Sequence, residues 1–385
     1  MLKRFYIYFC FCFGLGLIVS CKKDVQINVT QSEKDILAQT LSIPETPYNY
    51  SSQPLPEFFQ NQFIQFQNNT PNTNPVTDWG GTLGRVLFYD KKLSINSTIA
   101  CATCHQQSIG FTDTARLSSG FSGGKTNRHS MALANSVFYS NGRFFWDERA
   151  KTLEDQVLMP IQDSIEMGMN LNTLVVRLQS TSYYPILFNY TFGSSEINSE
   201  RISKALAQFI RSIISYRSKY DQGLAITSNR MVDFPNFTNE ENHGKTIFMS
   251  HPVINCFGCH NTDVFIGDNP RNNGIQLNNT DPGIFIHTQN TQDLGKFKVP
   301  SLKNVGLRKH FMHNGSMSSL YQVIEHYNSS MLPNPNLDEE LKNTTNQLPK
   351  QMNLTANDIK DLKAFLHTLT DYEFITDEKF SSPFK

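Results

Sequence analysis

Apolar side chains recur every three to four positions in several parts of the chain, which is the period of an amphipathic α-helix. The clearest case is 200–220, where one face carries Ile202, Leu206, Phe209, Ile210 and Ile213. Shorter stretches at 320–327 and 355–369 have the same period. Strict alternation of apolar and polar residues, which is typical of strands, is scarce. The pattern therefore predicts a mainly α-helical protein with long loops.

Capping residues mark two of the helix starts. Thr238 with Glu241 three positions later forms a capping-box pattern, and the helix it opens leads towards a cysteine pair. Thr355 is the predicted N-cap of the helix over 355–369. Loops rich in Asn, Gly and Pro separate the helices, and we place a domain boundary in the loop at 221–236.

The first residues have the features of an export signal. Two basic residues precede an apolar run at 5–19, which is short for a membrane span, and Cys21 follows it. We expect a lipoprotein-type signal peptide at 1–20 with Cys21 as the lipidation site; an ordinary cleaved signal or an uncleaved anchor are the alternatives. In each case the protein leaves the cytoplasm, so we expect it in the periplasm. Residues 21–75 are rich in Asn, Gln, Ser, Thr and Pro, which predicts a flexible tether.

Composition limits the partners of the remaining chain. The 385 residues contain 34 basic and 34 acidic side chains, so the formal net charge is zero, and no basic cluster stands out. Nucleic-acid binding is therefore unsupported. No later apolar stretch is long enough to cross a membrane, which leaves the lipid anchor as the expected membrane contact. The length beyond the tether suits two domains.

Two copies of the pattern Cys-x-x-Cys-His carry the chemistry. They are Cys101, Cys104 and His105, and, 155 residues later, Cys256, Cys259 and His260. This pattern is the attachment signature of c-type haem, in which the cysteines form thioethers and the histidine binds the iron. Zinc ribbons place their cysteine pairs about 15–20 residues apart, and a dithiol site belongs near a βαβ pattern that is missing here. The sequence thus predicts two covalently bound haem c groups.

The cysteine count agrees with this interpretation. Two of the seven cysteines lie in the predicted signal, Cys21 is the lipidation candidate, and four belong to the haem motifs. None is left for a disulfide, so we expect the core and the haem groups to stabilise the fold.

Further motifs surround the two haem patterns, at 83–90, 145–150, 297–304 and 311–316. In this order, over about residues 76–371, they resemble those of the bacterial di-haem cytochrome c peroxidase/MauG family, with Glu148 in place of a usual glycine. The resemblance implies two cytochrome c-like helical domains, each holding one haem. Residues 76–225 would be the peroxidatic domain and residues 236–385 the electron-transfer domain.

The resemblance also assigns catalytic roles. The family has Trp, Gln and Glu at steps of ten residues, and Trp146, Gln156 and Glu166 occupy these positions. By resemblance, Glu166 is the acid/base for peroxide cleavage with Gln156 beside it, and Trp146 lies between the haems. Without the resemblance, a solvated carboxylate, a surface amide and a core tryptophan would be the ordinary interpretations.

Two departures concern the axial ligands of iron. Where the family has a distal histidine on its first haem, residues 121–127 have none; His129 is the nearest alternative, and without it that haem would be five-coordinate. At the second haem the family's methionine position holds Tyr327, as in MauG. Methionines close to it in sequence are the competing ligands: Met312, Met317 and Met331.

The resemblance implies three functions and several partners. A di-haem peroxidase would reduce hydrogen peroxide with electrons from a small donor such as a cytochrome c. A MauG-like oxidase would instead act on a partner protein or an organic substrate, and a di-haem electron-transfer cytochrome is the non-enzymatic alternative. A calcium ion between the domains would use the carbonyls of Arg308 and His310 and the side chain of Asn127. A homodimer is left open.

Overall fold

The computed structural model describes residues 30–267 and 269–385, so the predicted signal peptide and Cys21 lie outside the described residues. Short 3₁₀ turns and long loops connect the α-helices. β-Pairing in the described ranges consists of isolated bridges, so the mainly helical prediction is confirmed. None of the helices in this part of the chain is long and apolar enough to cross a membrane. The helices are α1 (Gln31–Thr40), α2 (Gln62–Gln65), α3 (Asp78–Tyr89), α4 (Cys101–Cys104), α5 (Leu153–Gln162), α6 (Leu171–Gln179), α7 (Tyr183–Phe192), α8 (Ser199–Ser212), α9 (Lys219–Thr227), α10 (Asn239–Ser250), α11 (Phe285–Thr288), α12 (Leu320–Glu325) and α13 (Ala356–His367).

Each half of the molecule is built around one closely packed helix pair. In the first half α3 packs on α8, and in the second α10 packs on α13. A glycine makes each approach close enough: a Cβ at Gly84 would lie 2.0 Å from the Ala205 carbonyl oxygen, and a Cβ at Gly244 would lie 1.9 Å from the Asp361 carbonyl oxygen. Both contacts are far below van der Waals distance, so we expect any side chain here to separate the pair.

The predicted capping residues of the second pair are confirmed. Thr238 accepts a hydrogen bond from the Glu241 backbone N–H, and the Glu241 carboxylate accepts from the Thr238 N–H. Thr355 caps α13 in the same reciprocal way with Asp358. These local bonds fix the start of both helices and hence the approach to the second cysteine pair.

The boundary between the two cores differs from the predicted one. The helix predicted over 200–220 ends at Ser212, and a new helix, α9, begins at Lys219. Side chains of α9 and of the following loop, including Tyr220, Leu224 and Phe234, belong to the second core. The boundary therefore lies between Ser212 and α9, and the loop at 221–236 is part of the second domain.

The predicted tether is also wrong for the stretch that the structure describes. Leu37, Leu41 and Tyr50 are buried in the first core, and Phe59 and Ile64 lie in a third cluster beside it. The stretch is polar overall, and its few apolar residues are widely spaced. Each packs separately, so no periodic pattern in the sequence marked them as buried. This stretch is therefore packed: its first residues belong to the first core, while the third cluster also contains Val264 and Ile266 of the second half.

Residues 374–384 return from the second domain to the first. Phe374 and Phe380 are buried in the first core. The Tyr89 hydroxyl donates to the Phe380 carbonyl at 2.6 Å, and Phe384 pairs with Leu41 in an antiparallel bridge. The predicted second domain at 236–385 therefore ends before this segment, which completes the first half.

A buried charge network joins the two halves. Arg128 binds both carboxylate oxygens of Asp281 in the second half at 2.7 Å, and contacts Asp147 in the first half at 2.6 Å. Burial disfavours the charged form of Asp147 and of Asp281, but the hydrogen bonds and charge of Arg128 outweigh it and hold both pKa values below their usual range. The network thus ties residues from both halves at one point.

Replacement of Arg128 by methionine should lower the free energy of unfolding by about 3 kcal/mol, the lower end of the usual range for breaking a buried ion pair, because Asp281 loses its cation while Asp147 keeps Arg149 at 3.0 Å. A pKa depressed on folding contributes stability that is present above the unfolded value, near 4, and is lost as pH falls through the folded value. The difference between wild type and variant in guanidinium unfolding should therefore be large at neutral pH and shrink in acid. As a control, Lys204→Met removes an exposed pair with Glu200 and should barely move the midpoint. Equal small effects of both variants would show that the network does not hold the halves together.

Candidate haem sites and active site

The first cysteine pair lies on one turn of helix. Cys101 and Cys104 begin and end α4, so both sulfurs emerge on neighbouring faces, and His105 follows directly as the helix cap. The His105 Nδ1 hydrogen bonds to the Phe111 carbonyl oxygen at 3.2 Å. Phe111 has a φ of 60°, which turns the chain back towards His105. A bond of this kind fixes the ring orientation and tautomer of a metal-binding histidine.

The second cysteine pair repeats this arrangement. Cys256 opens a 3₁₀ turn that the Asn255 side chain caps. The His260 Nδ1 hydrogen bonds to the Phe265 carbonyl oxygen at 3.2 Å, and Phe265 also has a positive φ, 54°. Two segments far apart in sequence thus present two cysteines and an oriented histidine in the same way.

Each triplet lines its own cavity. The first cavity has two adjoining lobes, of about 720 and 70 Å³, which share His105. Cys101 and Cys104 line the smaller lobe. The second cavity has a volume of about 180 Å³, smaller than the main lobe of the first. It is lined by Cys256, Cys259 and His260 with mostly apolar neighbours.

The donor set of both cavities fits covalently attached haem. None of the four cysteines forms a disulfide with another described residue, and each pair stands next to a histidine at the edge of a mainly apolar space. The cysteine pairs open into different cavities and therefore cannot jointly form the four-cysteine zinc site that two such pairs sometimes make. In each cavity a haem would be held by two thioethers and one imidazole.

Two of the predicted catalytic residues lie in the first cavity. Glu166 and Gln156 line both of its lobes together with His105. Burial raises the pKa of Glu166 to about 7, with Asp163 raising it further and Arg149 opposing the shift. A carboxyl group with this pKa can both accept and return a proton at neutral pH.

Trp146 forms part of the wall between the two cavities and lines both. Its indole N–H donates to the His129 carbonyl at 2.7 Å, and its carbonyl accepts from the Lys298 N–H at 2.8 Å. These bonds fix Trp146 between the first and second halves of the chain. The structure thus places Trp146 between the two cavities, and its role in electron transfer stays a prediction.

His129 is held in the same wall by bonds to both ring nitrogens. Its Nδ1 is 3.0 Å from the Arg116 carbonyl oxygen, and its Nε2 is 3.4 Å from the Thr112 hydroxyl. The Thr112 hydroxyl also donates its hydrogen to the Ser130 carbonyl at 2.8 Å, so the contact at Nε2 is the weaker of the two. In this conformation His129 positions Trp146, and its role as a distal ligand stays a prediction.

Tyr327 and Met312 converge inside the second cavity. The Asn273 side-chain N–H₂ lies 3.2 Å from the Met312 sulfur and 3.4 Å from the Tyr327 hydroxyl. Tyr327 lies on a short π-helix, His326–Ser330, that continues α12, and such irregular turns are frequent at functional sites. The other two methionines do not line this cavity: Met331 is buried in the second core and Met317 packs against it. Of the four side chains predicted as possible sixth ligands of the second haem, Tyr327 and Met312 are the two that line its cavity.

The structure adds residues that the sequence did not single out. His313 stacks on Phe297 with ring centroids 3.7 Å apart, and its Nε2 has no hydrogen-bond partner among the described residues. The motif at 311–316 was the only sequence feature that pointed to His313. Asn273 had none, because it lies in a loop more than 50 residues before Tyr327.

The residues of the predicted calcium site are divided between the cavities. Arg308 and His310 line the second cavity and Asn127 lines the first. Among residues 30–267 and 269–385, no group of three or more His, Cys, Asp or Glu side chains forms a metal-binding cluster. The predicted calcium ligands include backbone carbonyls, which this observation on side chains does not cover. Calcium binding therefore stays a prediction.

Comparisons with known proteins agree with these sites. Residues 80–229 match the family described as di-haem cytochrome c peroxidase. The chain is 30% identical over 334 residues to a methylamine utilization protein MauG of Methylophilus methylotrophus, a match that covers 87% of this chain and 94% of that protein. The chain belongs to the di-haem cytochrome c peroxidase/MauG family. Membership implies two haem c groups and thus agrees with the paired cavities.

Relatives of both types occur within the family. A cytochrome c551 peroxidase of Nitrosomonas europaea is 28% identical over 292 residues, with 75% of this chain and 79% of that protein covered. A solved structure of a MauG-like protein associated with microbial copper homeostasis superimposes with a TM-score of 0.72 at 28% identity, covering 88% of this chain and 99% of that one. Membership of the family is therefore established. The names of the relatives denote two kinds of protein, MauG proteins and cytochrome c peroxidases.

Proposed function

We propose that this member of the family is a di-haem peroxidase that reduces hydrogen peroxide to water with electrons from a small donor such as a cytochrome c. The observation that carries the proposal is the placement of Glu166 and Gln156 in the same cavity as His105, with Trp146 in the wall towards the second cavity.

The residues of the first cavity supply proton handling and orientation. Haem bound there would provide the iron that exchanges electrons with peroxide. Glu166 as a carboxylate takes the proton from the near oxygen of hydrogen peroxide and returns it to the far oxygen, which then leaves as water. The Gln156 amide can hold the peroxide by hydrogen bonding. Trp146 provides an aromatic path from the second cavity, where His260 is held.

A direct assay tests the proposal. The di-haem protein, reduced by a cytochrome c or an artificial donor, should oxidise that donor in a 2:1 ratio to hydrogen peroxide. Preparations with both haems attached that oxidise no donor with peroxide would overturn it. Loss of activity in His105→Ala, with the second haem still attached, would assign the reaction to the first cavity.

Tyr327 favours a second candidate function, a MauG-like oxidase. The relatives named MauG and the phenol in the second cavity both support it. In this reaction the oxidising equivalents of peroxide would pass to a partner protein or an organic substrate. The non-enzymatic alternative, an electron-transfer cytochrome, would give no role to Glu166.

We further propose that the protein works in the periplasm, anchored through a lipid on Cys21, and that it binds a calcium ion; dimer formation is left open. Mass spectrometry of the membrane fraction should find acylated Cys21, and Cys21→Ser should release the protein. Calcium chelation and light scattering test the calcium site and the oligomeric state.

A further inference from the structure

A buried tyrosine–carboxylate pair lies beside the wall between the cavities. The Tyr139 side chain is fully buried, and its hydroxyl donates a hydrogen bond to the Glu148 carboxylate. Glu148 is 6% exposed. The Asn141 amide donates to both of its oxygens, at 3.2 and 3.0 Å. The peroxide chemistry described above uses neither Tyr139 nor Glu148.

Folding alone gives little reason for a glutamate at this position. Glu148 has a φ of 56°, in the left-handed region that favours glycine. Its carboxylate is also buried, which is unfavourable unless hydrogen bonds compensate. A strained backbone and a buried charge at one residue are typical of functional sites.

Lys298 connects this pair to the wall. The Lys298 Nζ lies 3.5 Å from the centroid of the Tyr139 ring and 4.6 Å from that of Phe144. The backbone N–H of the same lysine donates to the Trp146 carbonyl at 2.8 Å. Lys298 lines both cavities. A single residue thus contacts both Tyr139 and Trp146.

The chemistry of the pair suits oxidation of the phenol. A tyrosine that loses an electron must also lose its hydroxyl proton, so a hydrogen-bonded base makes the oxidation easier. Burial raises the pKa of Glu148 to about 7, partly offset by the charge of Lys298, so the group exchanges a proton near neutral pH. Burial also lowers the pKa of Lys298 to about 7, against the opposing effect of Glu148. The positive charge over the ring, which would oppose electron loss, is therefore only partly present.

We propose that Tyr139 is a redox-active residue that gives up one electron through the Trp146 wall and passes its hydroxyl proton to Glu148. The proposal rests on the proposed function, since hydrogen peroxide is the oxidant. Reduction of one peroxide to two waters takes two electrons and two protons. Tyr139 supplies one electron; the donor or, without donor, the iron of the bound haem would supply the other, and solvent supplies both protons. The phenolic O–H bond breaks, the proton joins a Glu148 oxygen, and a neutral tyrosyl radical remains. An electron from the donor and the proton held on Glu148 restore the phenol.

Freeze-quenched electron paramagnetic resonance tests this step. The di-haem protein mixed with one equivalent of hydrogen peroxide, without donor, should give a tyrosyl signal that narrows when the tyrosines carry ring deuterium. Tyr139→Phe should reduce this signal about tenfold or more, and Glu148→Gln should also reduce it because the amide cannot accept the proton. A signal of full size in Tyr139→Phe would overturn the proposal.

Tyr184 provides the matched control. It is also fully buried and donates to a buried carboxylate, Asp90, at 2.8 Å. Its ring neighbours are Tyr183 and Phe188, which line neither cavity, whereas Tyr139 contacts the cavity-lining Lys298. Tyr184→Phe should leave the radical signal unchanged. A loss equal to that in Tyr139→Phe would mean that any buried tyrosine–carboxylate pair responds, and the assignment would be wrong. Haem absorbance and circular dichroism confirm that each variant is folded.

Peroxide consumption measured on the same samples separates the two proposals. Consumption by the wild type without a tyrosyl signal would overturn the role of Tyr139 and leave the peroxidase proposal standing. If the wild type consumes no peroxide, the peroxidase proposal fails, and flash-generated ruthenium(III) tris-bipyridine can serve as the oxidant instead. In that case a tyrosyl signal that depends on Tyr139 would support the redox role of the pair, and equal signals in wild type and Tyr139→Phe would overturn it.

Discussion

Replacing Glu166 with glutamine is expected to lower the rate of peroxide reduction about 10²–10⁴-fold, which is the usual contribution of a positioned acid/base. The amide keeps the size and the hydrogen-bonding capacity of the side chain but cannot take up a proton. Haem content and the absorbance spectrum should stay unchanged, because Glu166 is not a candidate iron ligand. Stopped-flow mixing of the di-haem protein with hydrogen peroxide measures the rate.

The pH dependence of the wild type supplies a second readout. The carboxylate is the active form, so the rate should rise with pH through the Glu166 pKa of about 7. In Glu166→Gln this dependence should be absent. Asp163 raises the pKa of Glu166, and its backbone-binding oxygen would remain in Asp163→Asn, so that variant should move the midpoint to lower pH without abolishing activity. An unchanged rate and profile in Glu166→Gln would favour the electron-transfer cytochrome over the peroxidase.

Replacing Tyr327 with phenylalanine is expected to change the spectrum of the second haem and raise its reduction potential. A phenolate oxygen stabilises ferric iron, whereas a thioether raises the potential, and axial ligands as a class span roughly 0.8 V. Loss of the phenol should therefore shift the potential upward by an amount that spectroelectrochemistry resolves easily. The first haem serves as an internal reference, since Tyr327 does not line its cavity.

Met312→Leu is the paired variant, because the Met312 sulfur approaches the same Asn273 amide. If Tyr327 is the ligand, this variant should leave the spectrum and potential nearly unchanged. A spectral change confined to Met312→Leu would assign the sulfur as ligand and remove the main structural support for the MauG-like oxidase. Responses to both substitutions would indicate that the two side chains exchange at the iron.

Features that depend on neighbouring residues could be predicted from the sequence. Thr238 and Glu241 lie three positions apart and satisfy each other, whatever the rest of the chain does. The haem patterns are equally local, since two cysteines and a histidine share one turn. Such interactions persist in every fold that keeps the segment helical, so periodicity and spacing are enough to find them.

Features that depend on partners far away in the chain could not be predicted from the sequence. The helical period over 200–220 continues past Ser212, yet the chain there is extended. The Ser215 N–H donates to the Asn135 side chain, and the N–H groups of Tyr216 and Arg217 donate to Asp371. These partners lie 80 or more residues away and replace the hydrogen bonds that another helical turn would have made. Likewise, nothing near Tyr139 in sequence indicates its contact with Lys298.

The return of residues 374–384 to the first core sets an order of assembly. Chains generally fold their first domain first as they are synthesised. Here the first core lacks Phe374 and Phe380 until the whole second domain has been made. The first core, against which Cys101 packs, therefore stays incomplete until the last residues of the chain reach it. The half of the molecule that the ribosome makes first is therefore the half that completes its packing last.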